Sequence, residues 1–495
     1  MQLGFDKDKY IEMQSSHIRD RINQFGGKLY LEFGGKLFDD YHASRVLPGF
    51  EPDLKARMLS SLAKDAEVLV ALNANDIEQD KRRSDLGIPY AEDALRLLDM
   101  FRGMGIGIGG IVITRFAGQP HAEAYQSRVE ALGIPVYRHY PIEGYPTSVD
   151  LIVSDEGFGK NEFARTTKPL VVVTAPGPGS GKLAVCLSQI YHEHAHDVKA
   201  GYAKFETFPV WNLPLKHPVN VAYEAATADL DDRNIIDPFH LEAYDKVTVN
   251  YNRDVETFPV LKSMMERIMG HSPYQSPTDM GVNMVGNCIS DDDVCRQAAK
   301  GEIVRRYFTT AERLERTGAG EPELATIRLL MNDVGVDKNF SPARAAALAK
   351  EEETGLPAAA MVLPDGKVVT GKTSTILGCA SSLLLNALKQ VAGVDKDIYV
   401  VSNDALEPIC RLKIAHLHSK NPRLHSDETL IALSISSATN PLAATVIDAA
   451  EQLKGCDAYF SVIISPTDER TFRQLGINVC CEPKYEKRSY YHRLA

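Results

Sequence analysis

Short hydrophobic runs alternate with amphipathic stretches through the first half of the chain. The runs are rich in β-branched residues and predict strands at 28–33, 67–72, 110–116, 135–140, 150–157 and 169–177. Hydrophobic residues recur at helical spacing in the intervening segments DLKARMLSSLAKD, AEDALRLLDMFRGM and HAEAYQSRVEALG. This alternation predicts a mostly parallel sheet covered by helices, with ligands bound at the carboxyl ends of the strands.

The pattern changes after about residue 240. Helical spacing then dominates in FPVLKSMMERIM, DDDVCRQAAKGEIVRRYFTTAERLERT, PELATIRLLMNDVG and SPARAAALAKEEETG. Near the C-terminus we predict a hairpin turning at Asp365-Gly366, helices in ASSLLLNALKQVAG and PLAATVIDAAEQLKG, and strands in DIYVVS, TLIALSISS and AYFSVIIS. We therefore expect an α/β protein with a P-loop-like domain over 1–238, a helical domain over 239–354 and a C-terminal α/β domain over 355–495.

Composition and charge narrow the class of protein. The 495 residues are 44% hydrophobic and 24% charged, which is typical of a globular chain of two to four domains. A formal charge of -11 argues against a protein that coats nucleic acid or an anionic membrane. The start, MQLGFDKDKY, has no signal-peptide core, and no hydrophobic run is long enough to cross a bilayer. We expect a cytoplasmic protein with small-molecule or protein partners, and homo-oligomerisation stays open.

The chain has eight cysteines and no C-x-x-C pair. In a cytoplasmic protein this pattern predicts reduced, mostly buried thiols rather than a structural zinc clamp.

A glycine-rich loop follows the hydrophobic run LVVV. It reads TAPGPGSGKLA and keeps the last glycine and the lysine of the phosphate-binding pattern G-x-x-x-x-G-K-[ST], although Pro176 replaces the first glycine and Leu183 the hydroxyl residue. Its setting between a strand and a helix is the one that a phosphate loop requires. The loop amides, the helix dipole and the lysine ammonium can converge on an anion. We therefore predict that ATP, another nucleotide or another phosphorylated small molecule binds at Gly177, Gly179, Ser180, Gly181 and Lys182.

Catalysis at this loop would need further groups. Leu183 cannot ligate Mg²⁺ as the Ser or Thr of a standard P-loop does, so a Mg²⁺ ion would depend on carboxylates or water. Asp155 and Glu156, at the end of the predicted strand 150–157, and Asp229 are the residues we consider, although each could be an ordinary surface carboxylate. With Lys182 stabilising charge, this set points to phosphoryl transfer or NTP hydrolysis. The alternative is a non-catalytic regulatory or assembly protein with a tight glycine turn.

Two other glycine motifs match the residue types of a nucleotide-binding pattern but not the structural setting that it requires. Residues 105–110 fit G-x-G-x-x-G, but they precede a predicted strand instead of following one. Residues 366–373 fit G-x-x-x-x-G-K-T, but they form the turn and second strand of the predicted hairpin. We predict that neither segment binds a nucleotide.

A zinc-protease pattern, H-E-x-x-H, occurs at His192, Glu193 and His196. It would place two histidines on one helical face, with the glutamate as general base and Glu206 or Glu224 as a third ligand. The first histidine lies ten residues beyond the lysine of the loop, about 15 Å along a continuous helix, so the two motifs cannot share one compact site. A metal-dependent hydrolase or peptidase is therefore the second hypothesis, with zinc not expected, and a solvated polar helix end is the simpler interpretation.

Four segments carry a resemblance to a known family: TAPGPGSGKLAVCLSQIYHE, KFETFPVWNLPLKHPVNVAYEAATADL, IDPFHLEAY and SPTDMGVNMVG. With the rest of the chain, they resemble a bacterial family of proteins of about this length and of unknown function. Some of its members carry automatic labels as ATP-dependent peptidases or zinc proteases. The resemblance covers nearly the full length and implies no catalytic residue.

The C-terminal region is also similar to the cytidine-deaminase-like fold, in which a strand pair leads into a helix. The helix here opens with Cys379, Ala380 and Ser381, so a serine stands where the proton-shuttling glutamate belongs, and no P-C-x-x-C follows. The resemblance implies a deaminase-like scaffold without its zinc site.

Overall fold

The computed structural model describes residues 2–83, 86–419 and 421–486, which have an α/β fold. Its strands are β1 (Leu29–Phe33), β2 (Ala66–Asn73), β3 (Gly107–Thr114), β4 (Val136–Arg138), β5 (Leu170–Thr174), β6 (Gly201–Phe205), β7 (Asn234–Ile236), β8 (Val249–Tyr251), β9 (Gly281–Val282), β10 (Ala358–Val362), β11 (Val368–Lys372), β12 (Asp457–Phe460) and β13 (Asn478–Cys481).

The helices up to residue 269 are α1 (Lys7–Gln24), α2 (Tyr41–Val46), α3 (Leu54–Ser60), α4 (Ala74–Glu78), α5 (Tyr90–Gly103), α6 (Pro120–Ala131), α7 (Val149–Ile152), α8 (Lys182–Ala195), α9 (Pro218–Ala226), α10 (Pro238–Tyr244) and α11 (Asn252–Met269). They continue with α12 (Pro277–Met280), α13 (Asp292–Thr317), α14 (Glu321–Asp333), α15 (Pro342–Thr354), α16 (Cys379–Val391), α17 (Asn403–Arg411), α18 (Ser426–Ser437), α19 (Pro441–Asp448) and α20 (Pro466–Gln474).

The chain divides into two compact units. The first unit consists of residues 2–224 and 231–299, and the second of residues 225–230 and the chain from residue 300 onward. The domain boundaries at 238 and 354 stay a prediction.

The first unit contains a seven-stranded sheet in the order β4-β3-β2-β5-β1-β6-β9. Every pairing in it is parallel, which confirms the predicted parallel sheet. All eight residues of β2 and all five of β5 are buried, as expected for central strands covered on both faces. These strands therefore appear in the sequence as continuous hydrophobic runs rather than alternating ones.

The order in which strands are added to the sheet changes direction between β2 and β5. From β2 the chain continues outward to β3 and β4, whereas from β5 it continues in the other direction to β6, passing β1. Because crossover connections between parallel strands are right-handed, the two sets of connecting helices cover opposite faces of the sheet. This order is expected to leave a crevice at the carboxyl ends of β2 and β5, which is where open α/β sheets bind ligands.

The second unit contains a mixed sheet in the order β11-β10-β12-β13. β10 pairs antiparallel with β11 and β12, and β12 pairs parallel with β13. The predicted hairpin is confirmed: Gly366 has a φ of +83° and donates its N–H to the carbonyl of Leu363 at 2.9 Å. Most of the segment 366–373, which matches G-x-x-x-x-G-K-T, therefore lies on the extended strand β11. The glycines at 107–110 likewise belong to β3.

Three predicted strands are wrong. Residues 150–157 form the end of α7 and a following turn, and Leu151 is exposed beside the buried Ile152. DIYVVS forms no strand, and Tyr399 in it is 92% exposed. TLIALSISS lies within α18, where the buried residues have helical spacing: Thr429, Ala432, Leu433 and Ser436. Exposed isoleucines between them hide that period in the sequence.

All eight cysteines are free thiols and six of them are buried, as predicted. Across the described ranges, no helix combines the length and the hydrophobicity needed to cross a membrane.

Candidate functional site

The loop between β5 and α8 lies at the carboxyl edge of the parallel sheet, next to the end of β2. β5 ends at Thr174 and α8 begins at Lys182, which confirms the predicted order of strand, loop and helix. Gly179 and Gly181 have φ values of +74° and +85°, a left-handed conformation that glycine adopts without strain. Because this conformation alternates with ordinary backbone, successive N–H groups point toward one position.

Two neighbouring strands hold the carbonyl groups of the loop. The Thr114 Oγ1, at the end of β3, donates to the carbonyl of Ser180 at 2.7 Å. The Asn73 Nδ2, at the end of β2, donates to the carbonyl of Gly179 at 3.3 Å. Gly177 packs so closely on the Tyr90 ring that a Cβ at this position would overlap the ring. These two hydrogen bonds and the contact with Tyr90 therefore fix the backbone of the loop.

Most backbone donors of the loop have no acceptor among the described residues. In that part of the chain, no residue accepts a hydrogen bond from the N–H of Gly177, Gly179, Gly181, Lys182 or Leu183. The Ser180 Oγ is buried and also has no partner. The Lys182 ammonium, which is partly exposed, forms neither a hydrogen bond nor an ion pair with any described residue. A set of donors beside a helix N-terminus and a cation is the arrangement that binds an anion.

Glu32 provides a carboxylate on β1, the strand adjacent to β5. It lies opposite Val173 of β5 and Lys204 of β6, and it accepts a hydrogen bond from the Tyr202 hydroxyl at 2.8 Å. Burial raises the pKa of the Cys186 thiol, Glu32 raises it further, and Lys182 lowers it. Glu32 and Lys182 therefore both lie within electrostatic range of one thiol in the first turns of α8.

A second group of charges lies where β6 ends. The Lys204 Nζ is 2.8 Å from the Glu206 Oε1, and it also forms a close ion pair with Asp254 in the first turn of α11. Burial opposes the charge of Lys204, but Asp254 and Glu206 outweigh burial and raise its pKa. Burial raises the pKa of Glu206 to about 7, and Asp254 acts in the same direction. Glu206 is thus a carboxyl group that can hold or release a proton near neutral pH.

The loop and these charges lie on the same face of the sheet. The Tyr30 hydroxyl of β1 donates to the Glu193 carboxylate of α8 at 2.7 Å, so α8 covers the face to which Tyr30 points. Side chains two residues apart on a strand point to one face, which places Glu32 there with Tyr30, and Lys204 with Tyr202. The sequence motifs missed both Glu32 and Lys204, although each stands near the end of a hydrophobic strand.

Two of the carboxylates predicted from the sequence, Asp155 and Glu156, do not join the loop. Asp155 lies in the turn after α7 and accepts a hydrogen bond from the Tyr191 hydroxyl at 2.8 Å. Tyr191 is nine residues after Lys182, or about 13 Å along α8. Glu156 is exposed and forms an ion pair with a lysine four residues later. Asp229 is exposed and belongs to the second unit.

The H-E-x-x-H residues lie at the C-terminal end of α8 and form hydrogen bonds and an ion pair within the protein. The His192 Nε2 lies 2.8 Å from the carbonyl of Asn161, and the His196 Nδ1 lies 2.7 Å from the carbonyl of His192. The Glu193 carboxylate is buried in an ion pair with Lys28 at 2.5 Å. Glu206 and Glu224, considered as third ligands, bond to Lys204 and Asn234. In the residues that the structure describes, no three or more His, Cys, Asp or Glu side chains are grouped to hold a metal ion.

Comparisons with known proteins cover nearly the whole chain. Residues 3–335 match the domain of unknown function DUF1846, N-terminal, and residues 339–491 match the domain of unknown function DUF1846, C-terminal. The UPF0371 protein cu0538 of Corynebacterium urealyticum and the UPF0371 protein DIP2346 of Corynebacterium diphtheriae are each 56% identical over 492 residues, 99% of both chains. A UPF0371 protein of Streptococcus thermophilus is 53% identical over 490 residues, again 99% of both chains. The chain therefore belongs to the UPF0371 family, and it matches both the N-terminal and the C-terminal DUF1846 domain.

Proposed function

We propose that this protein binds a phosphorylated small molecule, with nucleotides as the first class to test, in the crevice at the carboxyl edge of the parallel sheet. One observation carries the proposal: in the part of the chain that the structure describes, the Ser180 hydroxyl, the Lys182 ammonium and most N–H groups of the loop 177–183 have no acceptor. The Ser180 hydroxyl is buried, and a buried donor without a partner costs stability, so a bound phosphate would supply the acceptor that it lacks.

The same edge offers groups for catalysis. Glu32 replaces Asp155 and Glu156 in the proposal as the carboxylate on the strand adjacent to β5. Lys182 would stabilise the charge that develops on a transferred phosphoryl group. Phosphoryl transfer or phosphate-ester hydrolysis is the reaction class that these residues support. Because Leu183 provides no hydroxyl ligand, Mg²⁺ is a variable to be tested rather than assumed.

Thermal unfolding with and without ligand tests the proposal. Wild type, Ser180→Ala and Lys182→Ala would be heated with inorganic phosphate, AMP or ATP, each with and without Mg²⁺. A ligand at 100 times its dissociation constant stabilises the fold by about 2.7 kcal/mol, which gives a clear rise in melting temperature. We expect this rise in wild type and in Lys160→Ala, a control that alters an exposed lysine, and a smaller rise in the two loop variants. If none of these ligands stabilises the wild type, phosphate binding is wrong.

Two other expectations stay proposals. A cytidine-deaminase-like scaffold for the second unit is supported by the hairpin β10–β11, which leads directly into α16 with Cys379 buried at its start. A cytoplasmic location is supported by the free thiols alone.

A further inference from the structure

Leu183 is the second residue of α8 and follows Lys182 directly. In a standard P-loop a serine or threonine stands at this position, and its hydroxyl ligates the Mg²⁺ ion that the phosphates share. A leucine side chain has no ligand atom. The backbone N–H of Leu183 bonds to no residue that the structure describes, so it is available to an anion. This position therefore retains the donor that binds phosphate and lacks the ligand that binds the metal.

The side chains that contact the loop bring no positive charge to it. Thr114 and Asn73 donate hydrogen bonds to loop carbonyls. The Tyr90 ring packs on Gly177. None of these three contacting residue types is charged near neutral pH. Lys182 is the cation that belongs to the loop itself, and its ammonium together with the N-terminus of α8 amounts to a charge of about +1.5.

A carboxylate limits how much further negative charge this edge of the sheet accepts. Glu32 stands on β1, the strand adjacent to β5, on the face that α8 covers. Burial and then Glu32 raise the pKa of the Cys186 thiol in α8, whereas Lys182 lowers it. The ammonium of Lys204, opposite Glu32 on β6, is already ion-paired with Asp254. A ligand with more charge than one phosphate therefore meets repulsion from Glu32.

We propose that the loop 177–183 selects phosphate monoesters and binds them without a divalent metal ion, and that Leu183 determines this selection. The inference rests on the proposed function and specifies its substrate class. A phosphate monoester carries a charge of about −1.5 to −2 at pH 7, which the loop balances with its own ammonium and N–H donors. Each further phosphoryl group of a diphosphate or triphosphate adds charge beside Glu32, while position 183 offers no hydroxyl to hold a compensating Mg²⁺ ion.

Calorimetric titration of the full chain with two matched pairs of ligands tests this selection. The pairs are ethyl phosphate with pyrophosphate and AMP with ADP, each titrated in EDTA and in excess Mg²⁺. In each pair that binds, wild type is expected to bind the monoester about tenfold more tightly than the diphosphate, with or without Mg²⁺. Lys182→Ala is expected to weaken the binding of both members of a pair.

Two substitutions of Leu183 test its role. Leu183→Thr restores the hydroxyl, and Leu183→Val is the matched control because valine has a similar shape without the oxygen. Leu183 is partly exposed, so both variants are expected to fold, and their melting temperatures check this. In Mg²⁺, Leu183→Thr should bind the diphosphate about tenfold more tightly than Leu183→Val does, and in EDTA the two variants should bind it equally.

The outcomes separate this selection from phosphate binding itself. If wild type binds a diphosphate as tightly as the matching monoester, or binds the monoester only with Mg²⁺, the selection is wrong and phosphate binding stands. If Leu183→Thr and Leu183→Val respond alike to Mg²⁺, Leu183 does not determine the selection. If no member of either pair binds to wild type, the proposed function itself is wrong.

Discussion

The Nζ of Lys28 lies 2.5 Å from the Oε1 of Glu193, whose side chain is buried, while that of Lys28 is 12% exposed. The glutamate of the H-E-x-x-H motif thus joins the C-terminal part of α8 to the start of β1 instead of facing an open metal site. Removing one partner of a buried ion pair typically costs about 3–5 kcal/mol, because the other charge stays buried alone. We expect Glu193→Ala to lower the free energy of unfolding by about this amount in urea titrations.

Glu156→Ala is the control for this prediction, since it removes a carboxylate from an exposed ion pair and should leave the urea midpoint nearly unchanged. A Glu193→Ala protein with the wild-type midpoint, or a wild type that is purified with stoichiometric zinc, would favour the hydrolase hypothesis instead.

Gly177 is expected to tolerate no side chain while Tyr90 is present. An alanine Cβ would overlap the tyrosine ring, and overpacking of this kind costs about 1–3 kcal/mol. Gly177→Ala should therefore lower the melting temperature, and the loss should be smaller in a Tyr90→Leu background. Strictly additive effects of the two substitutions in a double-mutant cycle would show that the contact with Tyr90 is not the cause.

Glu206 should make the protein less stable as the pH rises from about 4.5 to 7. Its pKa is raised from 4.5 to about 7 in the folded chain, so the native state binds more protons than the unfolded state within this window. The stabilisation that the protonated group contributes is complete below pH 4.5 and is lost by about pH 7. It amounts to at most about 3 kcal/mol of the free energy of unfolding. Urea unfolding of wild type and Glu206→Gln across this range should show the difference; parallel curves would contradict the raised pKa.

His139 should act in the opposite direction. Burial lowers its pKa from 6.5 to about 3, and its Nδ1 has no hydrogen-bond partner. The native state therefore binds fewer protons than the unfolded state below pH 6.5, and stability falls as the pH decreases toward 3. We expect the melting temperature of His139→Phe to fall less between pH 7 and pH 5 than that of wild type. His121→Gln, at an exposed histidine, should follow the wild-type curve.

The sequence predicts those parts of the fold that depend on local pattern. β1, β2 and β5 are hydrophobic runs of strand length, and the hairpin at Gly366 has a turn residue with the required conformation. Where hydrophobic residues lie on more than one face of a helix, as in α18, the pattern predicts the wrong element, because the helical period becomes visible only when burial is known. Strand order depends on long-range pairing and could not be derived.

The same distinction applies to the candidate site. The loop 177–183 is contiguous in the chain, so its glycines and Lys182 could be recognised from spacing alone. Glu32 and Lys204 are neighbours only because β1 and β6 pair in one register, and no local signal links them. The sequence places Asp155 at the end of a predicted strand, but this segment begins in the helix α7, so Asp155 does not lie at the edge of the sheet.

The central position of β1 has a consequence for synthesis on the ribosome. Leu29 pairs with Leu170 on one side and with Gly201 on the other, so one edge of β1 stays open until β5 has been made and the other until β6 has been made. An unpaired hydrophobic strand is a site of aggregation in a nascent chain. Chaperone dependence should therefore be greatest for nascent chains that end before residue 170 and should fall once β6 has emerged from the exit tunnel.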